Sequence, residues 1–379
     1  MFNIKMNGKE FKNFIEKVIC NIDIKSSFEI LKTVVLENNG TVLKAITTKI
    51  SEHLEVRTGD YISCGIGKIA IDIDDIKLLM ESKEIIEIME TSENIIFKSG
   101  RKKIKLKKYD LSSFPEEPRK QFIDMVTMSE PEFIETIKNL SVFTSWNDNN
   151  KSMNCIHFDL KNLRIESLDG HRICIKTLKP HEKLSDGNVL LHNCIIATLK
   201  KTLDKKSKEN IGLSKCGEWN IVETISFAYI LKAHDVDFFK TSTFLNNDYK
   251  FESEVEKVIA LKVFDFYAKK IIKNEKIPVL VNFTKNSILT YADNKKLSVC
   301  DEIKVNKFSG KEILFGFNPH YLVDAFNTID CDDIKITGYN PKAPIYMHGK
   351  EYTFIILPIY LGMYDELIEK MKYELNNVA

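Results

Sequence analysis

The densest group of polar side chains able to do chemistry is the run Asp169-Gly170-His171-Arg172. Histidine is a frequent general base, and an enzyme could use His171 in that role with Asp169 as the carboxylate that orients it. Neighbouring side chains in a tight turn seldom face each other in that way. The sequence therefore favours a turn in which Asp169 and Arg172 tie loops together, and we expect no catalytic residue here.

Other signatures of catalysis or ligand binding are absent from the sequence. It has no phosphate-binding glycine loop, no pair of histidines at metal-binding helical spacing and no nucleophile elbow. The eight cysteines are scattered, mostly beside apolar residues, and none has metal-ligand or redox spacing to another. This distribution favours reduced thiols in an intracellular protein. We therefore expect a protein that is not an enzyme and that needs no cofactor or metal.

Length and composition are typical of a soluble globular protein with two or three domains. The chain has 379 residues, of which 44% are hydrophobic and 29% charged. No apolar run approaches the roughly 20 residues of a membrane span, so we expect a cytoplasmic location and no membrane partner. The formal net charge of +1 argues neither for nor against nucleic acid. Lysines cluster in residues 101–108, 200–208 and 262–276, each most simply a solvated face.

The elements that would position these residues follow one pattern three times. Leading helices are predicted at residues 7–21, from Ser129 onward and at 261–274, and the internal helices begin about 120 residues apart. Strand-like runs follow each helix, including residues 30–36 in the first repeat and residues 219–230, predicted as one strand, in the second. The pattern predicts an α+β fold of three repeated domains, each with two helices packed on antiparallel sheets. The predicted domains are 1–124, 125–244 and 245–361, followed by an amphipathic helical tail at 362–379.

The sequence SLDGHRI at residues 167–173 resembles the domain-two signature of bacterial sliding clamps, the beta subunit of DNA polymerase III. Three further features fit the same family: Phe-Pro at 114–115, Phe-Asn at 317–318 before the last internal helix, and Leu-Pro at 357–358 in the closing strand. The resemblance covers residues 1–361. It implies a six-domain ring, formed by two chains head to tail, that encircles duplex DNA and tethers a polymerase as a processivity factor.

The resemblance also implies the partners and the sites. The partners would be double-stranded DNA contacted without sequence preference, the alpha subunit of DNA polymerase III, the clamp loader and other proteins with the clamp-binding motif, a short peptide containing a glutamine and apolar residues. A dimer seam is implied as well, and burial in the core of a single chain stays open as the alternative for its four residues. The implied sites are a partner-peptide pocket (Met153, Leu168, Gly170, His171, Arg172, Ile173, Lys240, Thr241, Ile355, Leu357, Pro358, Ile359), DNA contacts (Lys25, Trp146, Asn147, Lys151) and a dimer seam (Ile104, Leu106, Ile271, Ile272).

The chain departs from the family pattern in five ways. Leu168 replaces the usual threonine, Tyr360 replaces the usual arginine, Lys151 and Ser152 replace paired tyrosines, the chain is near neutral rather than acidic, and a tail continues beyond Leu361. The apolar residues of this tail recur at helical spacing, which motivates the hypothesis that the tail docks near the pocket and tunes partner access. The departures keep open a divergent clamp paralogue that serves repair, a mobile element or drug resistance. An α+β enzyme using Asp169, His171 and Arg172 and a static repeat protein are the remaining alternatives.

Overall fold

A computed structural model describes most of the chain, which packs into two compact units. The first unit comprises Met1–Ile137 with Pro180–Asp235, and the second comprises Lys138–Lys179 with Val236–Ala379. Both combine helices with antiparallel sheets, as the α+β prediction requires. The three-domain boundaries stay a prediction. The described residues are 1–118, 122–146, 149–203, 206–233, 236–245, 248–272 and 277–378.

The helices of the described residues repeat the predicted order. Each leading and each internal helix closely follows a strand, and polar caps mark several starts: the side chains of Asn7, Asp72 and Asn318 each accept a hydrogen bond from a backbone N–H of the first turn. No helix in this part of the chain is both long and apolar enough to cross a membrane. The helices are α1 (Gly8–Val18), α2 (Ile73–Leu79), α3 (Glu130–Ser141), α4 (Ile195–Thr202), α5 (Lys257–Phe266), α6 (Pro319–Thr328) and α7 (Asp365–Val378).

Most strands of the first third lie where alternating apolar residues predicted them. Two strands, β1 and β6, end directly before helices α1 and α2. The run from Ile30 differs from the prediction, because Glu29–Lys32 forms a 3-10 turn before the strand begins. The strands are β1 (Asn3–Asn7), β2 (Thr33–Asn38), β3 (Leu43–Thr48), β4 (Glu52–Thr58), β5 (Ile62–Gly65), β6 (Gly67–Asp72), β7 (Ile85–Glu90), β8 (Asn94–Ser99) and β9 (Lys102–Lys107).

The middle third contains one clear correction. Residues 219–230, predicted as a single strand, form a hairpin of two strands, because the backbone turns between Glu223 and Phe227 and the Thr224 N–H donates to the Phe227 carbonyl over 2.9 Å. The strands are β10 (Ile123–Ser129), β11 (Cys155–Asp159), β12 (Arg164–Leu168), β13 (Arg172–Thr177), β14 (Asn188–His192), β15 (Asn210–Cys216), β16 (Trp219–Glu223) and β17 (Phe227–Lys232).

The last third begins with a strand that the sequence did not predict, and its leading helix starts four residues earlier than expected. That helix, α5, continues into a π-helical turn at Tyr267–Ile271. The strands are β18 (Phe251–Glu256), β19 (Val279–Phe283), β20 (Ser287–Asp293), β21 (Ser298–Lys304), β22 (Lys307–Gly310), β23 (Ile313–Phe317), β24 (Asp333–Gly338), β25 (Ile345–His348) and β26 (Tyr352–Ile356).

The sheets of the first unit are antiparallel. A five-stranded sheet has the order β5-β1-β7-β8-β9, so β9 is an edge strand. An eight-stranded sheet has the order β10-β15-β16-β17-β4-β3-β2-β6. Helix α1 buries Phe11, Phe14 and Ile15, and the sheets contribute buried residues such as Phe97, so each element places its apolar face in the core.

The second unit contains a four-stranded sheet in the order β21-β20-β19-β23 and a run of paired strands in the order β11-β12-β13-β26-β25-β24-β18-β22. Helices α5 and α6 meet through the stacked rings of Phe264 and Phe326, with centroids 5.7 Å apart. Helix α7 packs Leu367 and Met371 against Leu280 of the four-stranded sheet. The predicted amphipathic tail is therefore a helix with a buried face.

Candidate functional site

Three adjacent strands of the second unit form the floor of an apolar cavity. Leu168 at the end of β12 is opposite Ile173 on β13, and Ile173 is opposite Ile355 on β26. Paired residues of neighbouring strands project to the same face, so these three side chains lie side by side. All three are buried and form one cluster with Ile175. The cavity floor therefore has no side-chain polar atom.

A tight turn joins β12 to β13 beside this floor. Gly170 has φ of +86°, a left-handed conformation that a glycine adopts without strain. One carboxylate oxygen of Asp169, Oδ1, accepts the backbone N–H groups of His171 and Arg172, each over 3.1 Å. The Asp-Gly pair therefore sets the turn and directs the next two residues.

The side chain of Arg172 is buried behind the turn and fully engaged with carboxylates and a carbonyl. Its Nε donates to Oδ2 of Asp169 over 2.8 Å, its Nη1 to Oδ2 of Asp324 over 2.5 Å, and its Nη2 to the Val142 carbonyl over 3.0 Å. Burial acts to lower the pKa of Arg172, but Asp169 and Asp324 outweigh it and the pKa is raised above its usual value. The guanidinium is therefore a permanently charged anchor between the turn and α6.

Two aromatic rings also contact the side chain of Arg172. The guanidinium carbon lies 4.8 Å from the ring centre of Phe143 and 4.6 Å from that of Tyr321, so the cation contacts two π faces. The imidazole of His171 stacks on the Tyr321 ring with centroids 5.7 Å apart. Tyr321 therefore orients both residues at the rim of the cavity.

The walls come from two 3-10 turns. One, Thr241–Phe244, supplies Phe244, and its carbonyl accepts the hydroxyl of Tyr346 over 2.7 Å. The other, Lys151–Asn154, supplies Met153. Together with the floor they enclose a cavity of about 160 Å³. Its lining residues are Met153, Leu168, Gly170, His171, Arg172, Ile173, Phe239, Phe244, Ile355 and Leu357.

Eight of the twelve predicted pocket residues are in this lining, and four are not. Thr241 is buried, donates its hydroxyl to Oε2 of Glu166 and does not line the cavity. Ile359 pairs through its backbone with Gly316 of β23. Lys240 is exposed and immediately precedes the 3-10 turn, and Pro358 follows the last lining residue.

The sequence missed the aromatic contributors to this site. Phe239 and Phe244 lie in the stretch at 239–251, which shows no helical or strand period, and Phe143, Tyr321 and Asp324 are far from the 167–173 string in sequence. A signal did exist for the walls, because Phe238, Phe239 and Phe244 are three phenylalanines within seven residues of a polar linker.

The geometry around Asp169 favours the turn over the catalytic interpretation. Both of its carboxylate oxygens are engaged, one by two backbone N–H groups and the other by Arg172. A carboxylate that orients a general-base histidine would instead accept from the ring. Asp169 thus positions Arg172, as the sequence favoured.

The predicted DNA contacts lie in both units and are described within each. In the first, Lys25 is exposed and its backbone N–H donates to Asp23. In the second, Trp146 is 61% exposed and Lys151 is exposed at the start of its 3-10 turn. Asn147 lies outside the described residues.

The predicted seam residues differ sharply in burial. Leu106, Ile271 and Ile272 are buried within the single chain, and the burial favours the core interpretation for these three because their side chains have little surface to offer a partner. Ile104 on β9 is half-buried and retains exposed surface. The structure thus leaves only one of the four residues with substantial area for a partner.

The hypothesis that the tail docks near the pocket is wrong for this structure. Helix α7 packs on Leu280 and Tyr291 of the four-stranded sheet, and no residue of the tail lines the described cavity. The physical reason is the stripe of Leu367 and Met371, which finds a ready apolar sheet face.

One group of potential metal ligands occurs among the described residues, in the first unit. One ligand atom each of His53, Glu55 and Glu117 lies within 4.8 Å of the others. Glu55 also pairs with Lys44 over 3.3 Å and with Arg57 over 2.5 Å, so protein cations already balance its charge. We assign no metal to this group.

Comparison of the sequence with known proteins gives a family match over part of the chain and relatives that match more of it. Residues 247–358 match the family model described as DNA polymerase III beta subunit, C-terminal domain. The beta sliding clamp of Vibrio cholerae serotype O1 is 22% identical over 363 residues, covering 92% of this chain and 96% of the relative. That of Proteus mirabilis is 25% identical over 256 residues, covering 64% of this chain and 67% of the relative.

Solved structures give the same result for the fold. The putative DNA polymerase III beta subunit of Eubacterium rectale superposes with a TM-score of 0.86 at 19% identity, covering 95% of this chain and 99% of the other. The beta subunit from the DNA polymerase of Streptococcus pyogenes gives 0.87 at 15% identity, covering 94% and 99%. At these identities the likeness establishes the fold, and the expected clamp architecture is confirmed at the level of one chain.

Proposed function

We propose that this chain, a divergent relative of the DNA polymerase III beta subunit, is a sliding clamp that encircles duplex DNA as a homodimer and tethers a polymerase. The observation that carries the proposal is the apolar cavity built on β12, β13 and β26, beside the turn that contains the family string 167–173. A concave apolar site with few polar groups suits a short peptide with apolar anchors. The protein would act through binding and shape.

Partner peptides would bind in the cavity. The floor of Leu168, Ile173 and Ile355 would receive an apolar side chain, and Phe244 and Met153 would flank it. The proposed ligands are the clamp-binding segments of the alpha subunit of DNA polymerase III, of the clamp loader and of other proteins with that motif. The buried ion pairs of Arg172 would keep the site preorganised, so a peptide would pay little to order it.

DNA contact would be electrostatic and independent of sequence. Exposed lysines such as Lys25 and Lys151, with those on α1 and α4, could meet phosphates without reading bases. Binding of this kind weakens steeply with salt and permits sliding. The near-zero net charge does not oppose it, because the local distribution of charge governs contact.

The subunit seam would join two sheet edges. Strand β9 is the lysine-rich edge of the five-stranded sheet, and β21 is an edge of the four-stranded sheet that carries Asp301 and Glu302. In the described residues, neither of these acids forms an ion pair. Antiparallel pairing of β9 with the β21 of a second chain would satisfy both edges and match their charges. Head-to-tail use of this contact twice would close a ring.

Two measurements test the proposal. Light scattering across a dilution series should give twice the chain mass of 43.8 kDa. Fluorescence anisotropy should detect binding of a labelled peptide with a glutamine and apolar residues, and a version with those residues replaced by alanine should not compete. A monomer at every concentration would contradict the proposal that the protein encircles DNA. A dimer that binds the two peptides equally well would contradict the proposal that it tethers a polymerase through this motif.

A further inference from the structure

The C-terminal helix is built into the sheet that carries the proposed seam edge. Leu367 and Met371 of α7 are buried against Leu280 and Tyr291, and Nζ of Lys370 donates to Oδ2 of Asp293 at the end of β20 over 2.8 Å. Without the helix, this apolar sheet face would be open to water. The tail is therefore part of the folded unit and lies in a fixed place on the sheet.

The pairing of β20 with β21 identifies the residues on the same face as α7. Tyr291 is opposite Cys300, and Leu289 is opposite Glu302. Tyr291 and Leu289 belong to the cluster that α7 covers, and paired residues project to one face. Cys300 and Glu302 therefore lie on the face of the sheet that carries the helix, at its free edge.

The last turns of α7 bring a carboxylate to that edge. Helix α7 contacts both β20 and β21, and Leu375 packs in the same cluster as Tyr291, so the half-buried Glu374 beside it lies close to this edge. Burial raises the pKa of the Cys300 thiol, and the next largest cause is the charge of Glu374, as expected for two groups that lie close together. Glu374 makes no ion pair with any described residue. With Glu302 it adds negative charge beside the unpaired edge of β21.

The proposed partner edge has the opposite charge on the matching face. On β9, Leu106 is opposite Ile95 and faces the core, whereas Lys103 and Lys105 project to the outer face and are exposed. Neither lysine forms an ion pair within the described chain. If β9 of one chain paired with β21 of a second, the two sheets would form one continuous sheet, and the core face of one would continue into the core face of the other. The outer face, with Lys103 and Lys105, would then continue into the face that carries α7 in the second chain.

We propose that α7 is a seam element of the ring, in which Glu374 of one chain faces Lys103 and Lys105 of a second copy. The proposal rests on the proposed ring. It gives the tail beyond Leu361 a role at the subunit interface: the helix braces β20 and β21 from outside and extends the acidic surface that receives the lysine-rich strand. The partner is a second copy of this chain because both halves of the charge match occur in one sequence: Glu302 and Glu374 on the α7 face of one edge, and Lys103 and Lys105 on the outer face of the other.

The test measures the dimer dissociation constant by sedimentation equilibrium at low salt. Glu374→Gln should weaken the dimer about two- to five-fold and Glu374→Lys about ten-fold, whereas Glu366→Gln, at the far and exposed end of α7, should leave it unchanged. In a background that carries Lys103→Ala and Lys105→Ala, Glu374→Lys should weaken the dimer less than it does in the wild type, because the lysines that it would repel are gone. Raising the salt concentration to 0.5 M should shrink all these differences. Thermal unfolding of each variant checks that α7 stays packed.

The outcomes separate the two proposals. A wild-type monomer at all concentrations overturns both the ring and the seam role of α7. A wild-type dimer that Glu302→Lys weakens and Glu374→Lys does not would retain the ring and overturn the role of the tail. A dimer that Glu374→Lys weakens equally in the wild type and in the background without the two lysines would also overturn it, because the loss would then come from packing within one chain.

Discussion

Replacing Phe244 with alanine tests whether the cavity is the peptide site. Its ring is half-buried, lines the cavity and stands on a 3-10 turn that the Tyr346 hydroxyl holds through the backbone carbonyl. The substitution removes a wall without removing that hydrogen bond. We therefore expect the fold to survive and the binding surface to change.

The expected loss follows from the area that the ring can still bury. A half-buried phenylalanine keeps at most about 70 Å² of its surface exposed, and burying that area against a peptide contributes up to about 1.8 kcal/mol at about 25 cal/mol per Å². That corresponds to an increase in Kd of up to about 20-fold. The free energy of unfolding should fall by less than the 3–5 kcal/mol typical of a fully buried phenylalanine, because one face of the ring is already in water.

The assay is anisotropy of a labelled clamp-motif peptide, with Leu245→Ala as the matched control. Leu245 is the next residue, is exposed and does not line the cavity. Tyr346→Phe should cause a smaller loss, because it removes only the hydroxyl that positions the turn and one hydrogen bond is worth about 1 kcal/mol. Equal peptide affinity for Phe244→Ala and Leu245→Ala, with both proteins folded, would refute the assignment of the pocket.

Two further predictions concern stability. Asp324→Asn removes a charged partner of buried Arg172 and should lower the free energy of unfolding in urea by about 1.5 kcal/mol, and no loss would mean that Asp169 alone suffices. The pKa of His348 is lowered below 6.5, first by burial and then by Lys335. The unfolded chain therefore binds the proton first, so stability should fall from pH 7 to pH 5, and His348→Gln should flatten that slope.

The sequence predicted the parts of the fold that depend on local periodicity. Helical stripes such as that of Phe11, Phe14 and Ile15 mark single elements, and the Asp-Gly pair at 169–170 marks its own turn. The errors occur where contacts with other parts of the chain, rather than the local pattern, decide the secondary structure. The run at 219–230 was predicted as one strand because its turn residues, 224–226, include no glycine, proline, asparagine or aspartate to mark the turn.

The candidate site was predicted in the same uneven way. Its floor and turn come from the string at 167–173 and its strand partner at 355–357, which the resemblance to clamps supplied. Its walls come from aromatic residues in an aperiodic stretch, and the second carboxylate on Arg172 comes from α6, about 150 residues away in sequence. Spacing within a single sequence carries no information on such contacts.

Few hydrogen-bonding groups at this cavity remain available to a bound peptide. The floor residues Leu168, Ile173 and Ile355 offer no hydrogen bond, and the N–H of Leu357 already donates to the His171 carbonyl over 2.9 Å. The N–H groups of His171 and Arg172 serve Asp169, and the arginine side chain is committed to two carboxylates and a carbonyl. Among the described lining side chains, the imidazole of His171 is therefore the group with hydrogen-bonding atoms to spare. Discrimination of a partner's glutamine should depend on it, whereas the apolar floor should set affinity through shape and buried area.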